Sequence, residues 1–269
     1  MQQNQPSSTP AKLDLLHRDD HVIAVDKPAG IPTVPARGQP PSLIKRLALQ
    51  IGLPAKGEAD PRVRALHRID QDTSGVVLFA LDRPTQQFIS HQFQNNSLQK
   101  EYLAIVAGSV TEESGQIDAP LDRDPKDFRR MSVPRRARGK RALTQWKVEE
   151  RFRLFTLLRV FPKTGKTHQI RVHLAHIGHP LAVDPLYGVA SRAQSADVEA
   201  QTLPGLMLSS FKRGYRAKDS EGERPLIGRL TLHAAKLAFT HPAGQLLEIE
   251  APLPRDFRAT LNQLRKYGR

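Results

Sequence analysis

The chain has 269 residues, and its 41 Lys and Arg against 27 Asp and Glu give a formal net charge of +14. Hydrophobic residues make up 39% and charged residues 25%, which is close to the globular average and excludes a wholly disordered chain. The absence of cysteine excludes disulfides, thiolate metal sites and cysteine nucleophiles. No apolar run is long enough to span a bilayer and no signal peptide is evident, so we expect a soluble protein of the cytoplasm. The excess positive charge favours nucleic acid as the partner, because such a field attracts polyanions.

Short apolar runs and turn residues define the predicted elements. Residues 1–12 are polar, contain two prolines and are predicted to form a flexible tail. The elements that follow are predicted, in chain order, as a strand at 21–25, a helix after Ser42, a strand at 75–81, a helix at 84–94, strands at 102–106, 142–149 and 155–161, a helix at 167–177 capped by Thr167, a strand at 246–249 and a helix at 255–266.

This order of elements is typical of an α+β protein. Strands and helices are mixed without a regular βαβ rhythm, so we expect a mixed, largely antiparallel sheet with flanking helices and loops. Residues 13–269 are predicted to form a single domain, because no linker clearly divides them. Two polar stretches are predicted as surface loops: 123–141, with nine Lys or Arg and two Asp, and 189–228, which we interpret as an insertion.

The densest polar motif is HRIDQDTSG at 67–75. It lies between a proline-containing loop and a predicted buried strand, which would give it a rigid support. Asp70 or Asp72 is therefore a candidate nucleophile or general base. The alternative is a solvated turn in which an aspartate accepts backbone hydrogen bonds.

A second polar motif is GKTHQIRVH at 165–173. Its Gly-Lys-Thr is similar to a phosphate-binding loop, but Val160 replaces the earlier glycine that such a loop requires, which excludes this site. As the start of a helix, the motif directs His168 and Arg171 to the same side, where an arginine can bind a carboxylate with two hydrogen bonds. The alternative is a surface salt bridge of little energetic value.

Four histidines in this part of the chain suggest a metal site, at positions 168, 173, 176 and 179. No carboxylate completes a pattern such as His-Glu-x-x-His, and apolar residues separate the histidines. We therefore expect no metal, and keep a metal-dependent hydrolase as an alternative that chelators would test.

Six segments together indicate a family. They are DKPAG at 26–30, HRIDQDTSG at 67–75, KEYLAIVAG at 100–108, GKTHQIRVHL at 165–174, GHPLAVDPLYG at 178–188 and LHAAKLAFTHPAG at 232–244. In these segments and their order, the chain resembles the RluA family of RNA pseudouridine synthases over about residues 13–255. Because the resemblance begins near residue 13, we expect no separate N-terminal RNA-binding domain.

The resemblance implies an isomerase that converts uridine in RNA to pseudouridine without a cofactor or a metal. The bond from ribose C1′ to the base nitrogen breaks, and the base is rejoined through its C5. Asp70 is implied as the catalytic aspartate, which either attacks the nucleoside or abstracts a ribose proton. Arg171 is implied as its ionic partner, which would keep the carboxylate ionised. Tyr102 is implied to lie against the base and to help remove the proton from C5.

The resemblance also implies how RNA is bound. A stacked uridine is out of reach, so it must leave its stack, and Arg68 is implied to fill the vacated place. The remaining candidates for RNA contact in the two polar motifs are His67, Thr73, Lys166, His168 and Gln169. We expect ribosomal RNA, or otherwise transfer RNA, as the substrate of a monomeric enzyme.

Three residues depart from the family pattern. Ile69 stands where leucine is usual, Lys166 where arginine is common and Val183 where glycine is common. If position 183 required a positive φ, the turn there would have to differ. An alternative function is a non-catalytic RNA-binding or ribosome-assembly factor on the same scaffold. The intact catalytic set favours the enzyme.

Overall fold

The computed structural model describes residues 12–35, 38–53, 62–134, 138–188, 205–215 and 223–269. The predictions for the tail at 1–11 and for the insertion at 189–204 and 216–222 lie outside the described residues.

We number twelve strands and four helices in the described ranges. The strands are β1 (Asp14–Arg18), β2 (Val22–Lys27), β3 (Arg64–Ala65), β4 (Ser74–Ala80), β5 (Gln99–Ala107), β6 (Ser114–Asp118), β7 (Asp122–Arg123), β8 (Met131–Ser132), β9 (Leu143–Arg151), β10 (Phe155–Pro162), β11 (Leu232–Thr240) and β12 (Leu246–Glu250). The helices are α1 (Leu43–Gln50), α2 (Arg83–Gln94), α3 (Gln169–His176) and α4 (Arg255–Tyr267). No helix in the described ranges has the length and apolar character needed to cross a bilayer.

Ten of these strands form one sheet. Its central path is β1-β2-β4-β11-β5-β10-β9-β6, with β3 paired to β4 and β12 paired to β11. Every pairing is antiparallel except that of β4 with β11. Strands β7 and β8 form a separate hairpin. The prediction of an α+β fold with a mixed, largely antiparallel sheet is confirmed.

The parallel pairing of β4 and β11 brings two backbones unusually close at Gly75. Its φ is +114°, and a Cβ at this position would collide with the backbone of Ala234. Glycine is therefore required here for both its conformation and its size.

Strands β2 and β4 are buried on both faces of the sheet. Alternate side chains point to opposite faces. Ile23 and Val77 pack with α1 on one face, whereas Val22 and Val76 pack on the other face in the cluster that contains Ile89 of α2. This burial explains why both strands have continuous apolar sequences.

Strand β5 lies between two parts of the sheet, one that packs against α1 and α2 and one that packs against α3 and α4. Ala104 packs in the cluster that contains Leu174 of α3, and the adjacent Ile105 packs in the cluster that contains Leu261 of α4. Tyr102 packs against both the α1 cluster and the α3 cluster. The side chain of Tyr102 therefore lies where the two parts meet.

The helix bounds agree closely with the prediction except at α3. Asp82 accepts a hydrogen bond of 2.7 Å from the backbone N–H of Thr85, and Pro84 lies in the first turn of α2, as expected. The prediction that Thr167 caps α3 is wrong. The helix begins at Gln169, because His168 has a left-handed conformation with φ 53° and ψ 18°.

Candidate active site

A cleft of about 600 Å³ opens beside Tyr102. Five parts of the chain line it, namely the loop before β4, the end of α2, the start of β5, the segment that leads from β10 into α3 and the start of β11. All nine residues predicted as site residues contribute to the lining: His67, Arg68, Asp70, Thr73, Tyr102, Lys166, His168, Gln169 and Arg171.

Arg171 joins two aspartates at the floor of this cleft. Its Nη1 donates a hydrogen bond of 2.9 Å to Oδ2 of Asp70. Its Nε and Nη2 each donate a hydrogen bond of 2.8 Å to the carboxylate of Asp184. The side chains of Arg171 and Asp184 are 5% and 0% exposed, whereas that of Asp70 is 24% exposed. Asp70 is thus the carboxylate of this group that faces the cleft.

The two aspartates keep Arg171 charged inside the protein. Burial by itself lowers the pKa of Arg171, but the hydrogen bonds and charges of Asp184 and Asp70 outweigh it and raise the pKa above its ordinary value. The cleft therefore contains a charged guanidinium in direct contact with the carboxylate of Asp70.

The loop that contains Asp70 is anchored on both sides of this residue. Upstream, the hydroxyl of Thr33 donates to the carbonyl of Ile69 at 3.2 Å. Downstream, the carbonyl of Gln71 accepts hydrogen bonds from Nζ of Lys27 at 2.6 Å and from the backbone N–H of Gly30 at 2.9 Å. The DKPAG segment therefore serves to fix the backbone next to Asp70.

Lys27 is a fully buried lysine beneath this loop. Its Nζ donates to three carbonyls, those of Pro28, Ile31 and Gln71, at 2.6–2.9 Å. Burial is the largest influence and lowers the pKa of Lys27 to about 7, although Asp72 and Asp70 act in the opposite direction.

Tyr102 is half-buried on β5 and lines the cleft. Burial raises the pKa of its phenol well above the ordinary value, and the charge of Asp70 acts in the same direction. The phenol is therefore protonated at neutral pH. Its ring can lie against a base, but it can accept a proton only after it has passed its own to another group.

His67 and Thr73 flank Asp70 in the same loop. Nε2 of His67 accepts a hydrogen bond of 3.1 Å from the backbone N–H of Leu78, and its ring stacks on Phe93 at a centroid distance of 5.0 Å. Burial lowers the pKa of His67 to about 3, so its ring is neutral. The hydroxyl of Thr73 is buried without a hydrogen-bond partner among the described residues.

Gln169 has a different position from that expected for an RNA contact. Its Nε2 donates to Leu143 and Thr144 at 3.0 and 2.9 Å, and its Oε1 accepts from Thr164 and Lys166 at 2.7 and 3.0 Å. All four hydrogen-bonding positions of this amide are thus filled by protein groups. The side chain ties the segment before α3 to β9 and has no group left for RNA.

The basic residues of the cleft are less constrained. Arg68 is exposed, and its guanidinium makes no hydrogen bond to another described residue. Lys166 and Lys100 are half-buried, and Nζ of Lys100 donates to the carbonyl of Thr164 at 3.2 Å. Burial lowers the pKa of Lys100 to about 8, and Lys163 and Lys166 contribute in the same direction.

His168 lies between Asp70 and Tyr187. Its Nε2 is 4.0 Å from Oδ1 of Asp70, and its Nδ1 shares a hydrogen bond of 2.9 Å with the phenol of Tyr187. The prediction that His168 and Arg171 face the same side is confirmed by their shared neighbour Asp70.

Two of the other histidines near α3, His173 and His179, have protein partners. His173 is buried between Thr144 Oγ1 and the carbonyl of Ala119, at 2.8 and 3.0 Å. His179 lies 3.1 Å from the carbonyl of Ala107. The described residues contain no group of three or more side chains placed to hold a metal ion.

A sequence model of the RNA pseudouridylate synthase family matches residues 21–176, which is more than half of the chain. The chain belongs to this family. The resemblance inferred from the six motifs is thereby confirmed, and the activity of the family is that of an isomerase.

Several relatives within the RNA pseudouridylate synthase family align along nearly the whole chain. The ribosomal large subunit pseudouridine synthase D of Xanthomonas campestris is 36% identical over 255 residues, which cover 94% of this chain and 70% of the relative. The protein of the same name from Pseudomonas aeruginosa is 37% identical, with coverages of 95% and 72%. An uncharacterized RNA pseudouridine synthase of Bacillus subtilis is 35% identical, with coverages of 96% and 75%.

Two solved structures share the fold. Human RNA pseudouridylate synthase domain containing 4 superposes with a TM-score of 0.67 at 26% identity and covers 93% of this chain and 92% of its own. Human RNA pseudouridylate synthase domain containing 1 has a TM-score of 0.66 at 22% identity, with coverages of 90% and 84%.

The structure adds residues that the sequence analysis did not single out. Asp184 and Tyr187 lie within a motif that was quoted for the resemblance, and they contact Arg171 and His168. The only sequence signal for Asp184 was its position in the DPLYG segment that follows the helix. If this aspartate is buried, its carboxylate needs a cation nearby. Val183 stands directly before Asp184, at a position where glycine is common in the family. Its φ is not positive, so the turn here does not require glycine.

Proposed function

We propose that the chain isomerises uridine to pseudouridine in large-subunit ribosomal RNA, with Asp70 as the catalytic carboxylate. One observation carries the proposal: the Asp70 carboxylate faces an open cleft while the buried guanidinium of Arg171 donates to it at 2.9 Å. Relatives that share 36–37% identity and are named for the ribosomal large subunit support the choice of RNA.

The reaction rearranges bonds within one nucleotide. The bond between C1′ and N1 breaks, the uracil turns, and a bond forms between C1′ and C5. N1 gains a proton and C5 loses one, so the composition does not change. Asp70 starts the sequence either by attack on C1′ or by removal of a ribose proton, and an ionised carboxylate serves both routes.

Tyr102 is proposed to lie against the uracil while it turns. Its position beside Asp70 and its protonated phenol support this role over that of an initial base. An aromatic face gives stacking energy of roughly 1–3 kcal/mol for any base, which would retain the free uracil in the cleft.

Capture of the RNA is proposed to depend on exposed cations. Arg68 is placed at the cleft with a guanidinium that can stack in the gap left by the flipped uridine. The half-buried Lys100 and Lys166 also line the cleft and can neutralise phosphates without reading sequence. For His67 and Gln169 the side-chain contacts support roles in positioning the loops of the cleft. For Thr73 the support is a backbone hydrogen bond of 3.1 Å from its N–H to the carbonyl of Asp70.

The described elements support a single catalytic domain over residues 13–269, because strands from both ends of the chain share one sheet. A cytoplasmic location is consistent with ribosomal RNA as the substrate.

The test uses unmodified large-subunit ribosomal RNA labelled with tritium at C5 of uridine. Wild-type protein should release tritium, and Asp70→Asn should release none while its affinity for RNA stays within several-fold. Asp72→Asn is the matched control, since it changes a carboxylate of the same loop that does not contact Arg171. Turnover by Asp70→Asn at the wild-type rate would overturn the assignment.

The same assay separates the other functions. A non-catalytic RNA-binding factor would bind the RNA and release no tritium with any variant. Release from transfer RNA alone would keep the reaction and replace the proposed substrate.

A further inference from the structure

His168 has a backbone conformation that is unfavourable for its residue type. It is one of two non-glycine residues with positive φ among the described residues, the other being Asn96. A left-handed conformation costs a residue with a Cβ roughly 1–2 kcal/mol. Strain of this kind is retained where the position of a side chain matters, and here it places the imidazole at the wall of the cleft beside Asp70.

A chain of hydrogen bonds leads from the β7–β8 hairpin to this imidazole. The backbone N–H of Met131, in β8, donates to the phenolic oxygen of Tyr187 at 2.7 Å. The same oxygen is 2.9 Å from Nδ1 of His168, and the opposite ring nitrogen, Nε2, is 4.0 Å from Asp70 Oδ1. The hydrogen bonds therefore connect a backbone donor to the imidazole through Tyr187, and the far side of the ring lies within electrostatic range of the Asp70 carboxylate.

The partners of Tyr187 favour one direction for this chain. A backbone N–H can only donate, so the phenolic oxygen of Tyr187 is an acceptor towards Met131. If this oxygen also accepted from Nδ1 of His168, the phenolic hydrogen would have no partner among the described residues, so donation from the phenol to Nδ1 is favoured. With Nδ1 as acceptor, the neutral ring carries its hydrogen on Nε2, which points this N–H towards the negative charge of Asp70. The other tautomer would direct a lone pair at that charge.

The surroundings of His168 keep the ring neutral. Burial is the largest influence and lowers the pKa of His168 below its ordinary value. Of the charged groups that face the ring, Asp70 and Asp184 act against this shift, whereas Arg171 and Arg68 act with it. Tyr187 adds a neutral donor to Nδ1, which also favours the unprotonated nitrogen.

We propose that neutral His168 donates a hydrogen bond from Nε2 to an oxygen of the target uridine, and that Tyr187 is the positioning residue that sets this tautomer. The inference rests on the proposed function, since the donor acts next to the C1′ at which Asp70 is proposed to act.

The position of Tyr187 also connects RNA binding to the reaction. The guanidinium of Arg130, next to Met131, lies 5.2 Å from the Tyr187 ring centroid, and that of Arg171 lies 5.0 Å from the same centroid.

Two variants isolate the parts of this arrangement. Tyr187→Phe keeps the ring that contacts both guanidinium groups and removes only the hydroxyl. His168→Gly removes the imidazole and suits the left-handed backbone, so its melting temperature should equal or exceed that of the wild type. We expect a single-turnover rate of tritium release reduced roughly tenfold for Tyr187→Phe, the value of one hydrogen bond. For His168→Gly we expect a reduction of roughly 100-fold, as for loss of a preorganised donor.

The double variant and the pH profile distinguish a positioning role from a merely structural one. If Tyr187 acts through His168, then adding Tyr187→Phe to His168→Gly should cause no further loss. In Tyr187→Phe the acid limb of the rate should move to higher pH, because the lost donor favoured the neutral ring. An equal loss in both backgrounds, or a wild-type rate for His168→Gly, would overturn the inference.

A readout that does not need activity completes the test. Spectra of the free protein labelled with ¹⁵N-histidine should show His168, assigned by the signal missing in His168→Gly, as the Nε2–H tautomer. The Nδ1–H tautomer would overturn the inference in the absence of any RNA. Asp70→Asn is measured beside these variants. If it is inactive while His168→Gly is unimpaired, only the role of His168 fails, whereas an active Asp70→Asn removes the proposed function itself.

Discussion

Arg171 and Arg129 each bind one aspartate with two hydrogen bonds, but they do so in different environments. In the cleft, Arg171 contacts Asp184 at 2.8 and 2.8 Å, with side chains 5% and 0% exposed. In the segment between β7 and β8, Arg129 contacts Asp127 at 2.9 and 2.7 Å, with side chains 65% and 26% exposed. Because the hydrogen-bond geometry is the same in the two pairs, any difference in their energetic contribution comes from their exposure to water.

This difference in exposure suits the two arginine pairs to different roles. An exposed pair is screened and contributes only ~0–1 kcal/mol to stability, so Arg129 can exchange its partner for a phosphate at little cost. A buried pair is expensive to assemble and more expensive to break, so Arg171 cannot leave its position. The fixed cation holds Asp70, whereas the exposed cations of the hairpin are suited to a mobile polyanion.

The largest expected effect comes from removing the buried cation. Arg171→Ala leaves the buried Asp184 with two backbone donors but no cation, and it leaves Asp70 without its side-chain donor. We expect the free energy of unfolding to fall by about 3–5 kcal/mol and pseudouridine formation to be lost, as measured by urea unfolding and tritium release. Arg171→Lys is the matched variant, which keeps the charge but cannot form two parallel hydrogen bonds and should recover stability only in part. Wild-type turnover by Arg171→Ala would show that the pair is dispensable.

An intermediate effect is expected for Lys27, a buried cation with neutral partners. Its pKa is lowered to about 7 by burial, against roughly 10.4 in the unfolded chain. Between these values the unfolded chain binds more protons, so the free energy of unfolding should rise with pH above about 7. The melting temperature of the wild type relative to Lys27→Met should therefore increase from pH ~7 to pH ~9. A constant difference over this range would mean that Lys27 is charged throughout in the folded protein.

The smallest effect is expected for the exposed pair. Arg129→Ala should leave both the free energy of unfolding and the single-turnover rate nearly unchanged, because the pair is screened by water. Its RNA affinity should fall, and the slope of log affinity against log salt should decrease by about one. Arg265→Ala is the control, because Arg265 of α4 forms a similarly exposed pair with Glu150 of β9 at 2.9 Å. An equal change of slope in both variants would remove any special role for the hairpin.

The sequence predicted the fold class and most elements because apolar runs and turn residues are local signals. It did not predict β1, β3, β6, β7, β8 or β11. In β11, polar His233 and Lys236 interrupt the apolar pattern, although LHAAKLAFTHPAG was quoted as a motif. The start of α3 was misplaced for a related reason. The left-handed His168 at the start of the helix contacts Tyr187 and Asp70, which are distant in sequence, so the local pattern around Thr167 did not reveal this conformation.

The sequence predicted those site residues that occupy a recognisable position within a motif. Asp70, Arg171 and Tyr102 came from a family resemblance, and the structure brings Asp70 into contact with Arg171 and places Tyr102 in the same cleft. Asp184 could not be assigned because its partner is defined by packing, and Gln169 was placed among the RNA contacts because its buried partners on β9 are invisible in the sequence.

Strand β11 has a consequence for the making of the protein. It pairs with β4 on one side and with β5 on the other, and thus joins the strand that follows Asp70 to the strand that contains Tyr102. It follows both of these strands in the sequence. A nascent polypeptide that still lacks residues 232–240 has no strand to join the two, so the cleft is completed only after β11 has been synthesised.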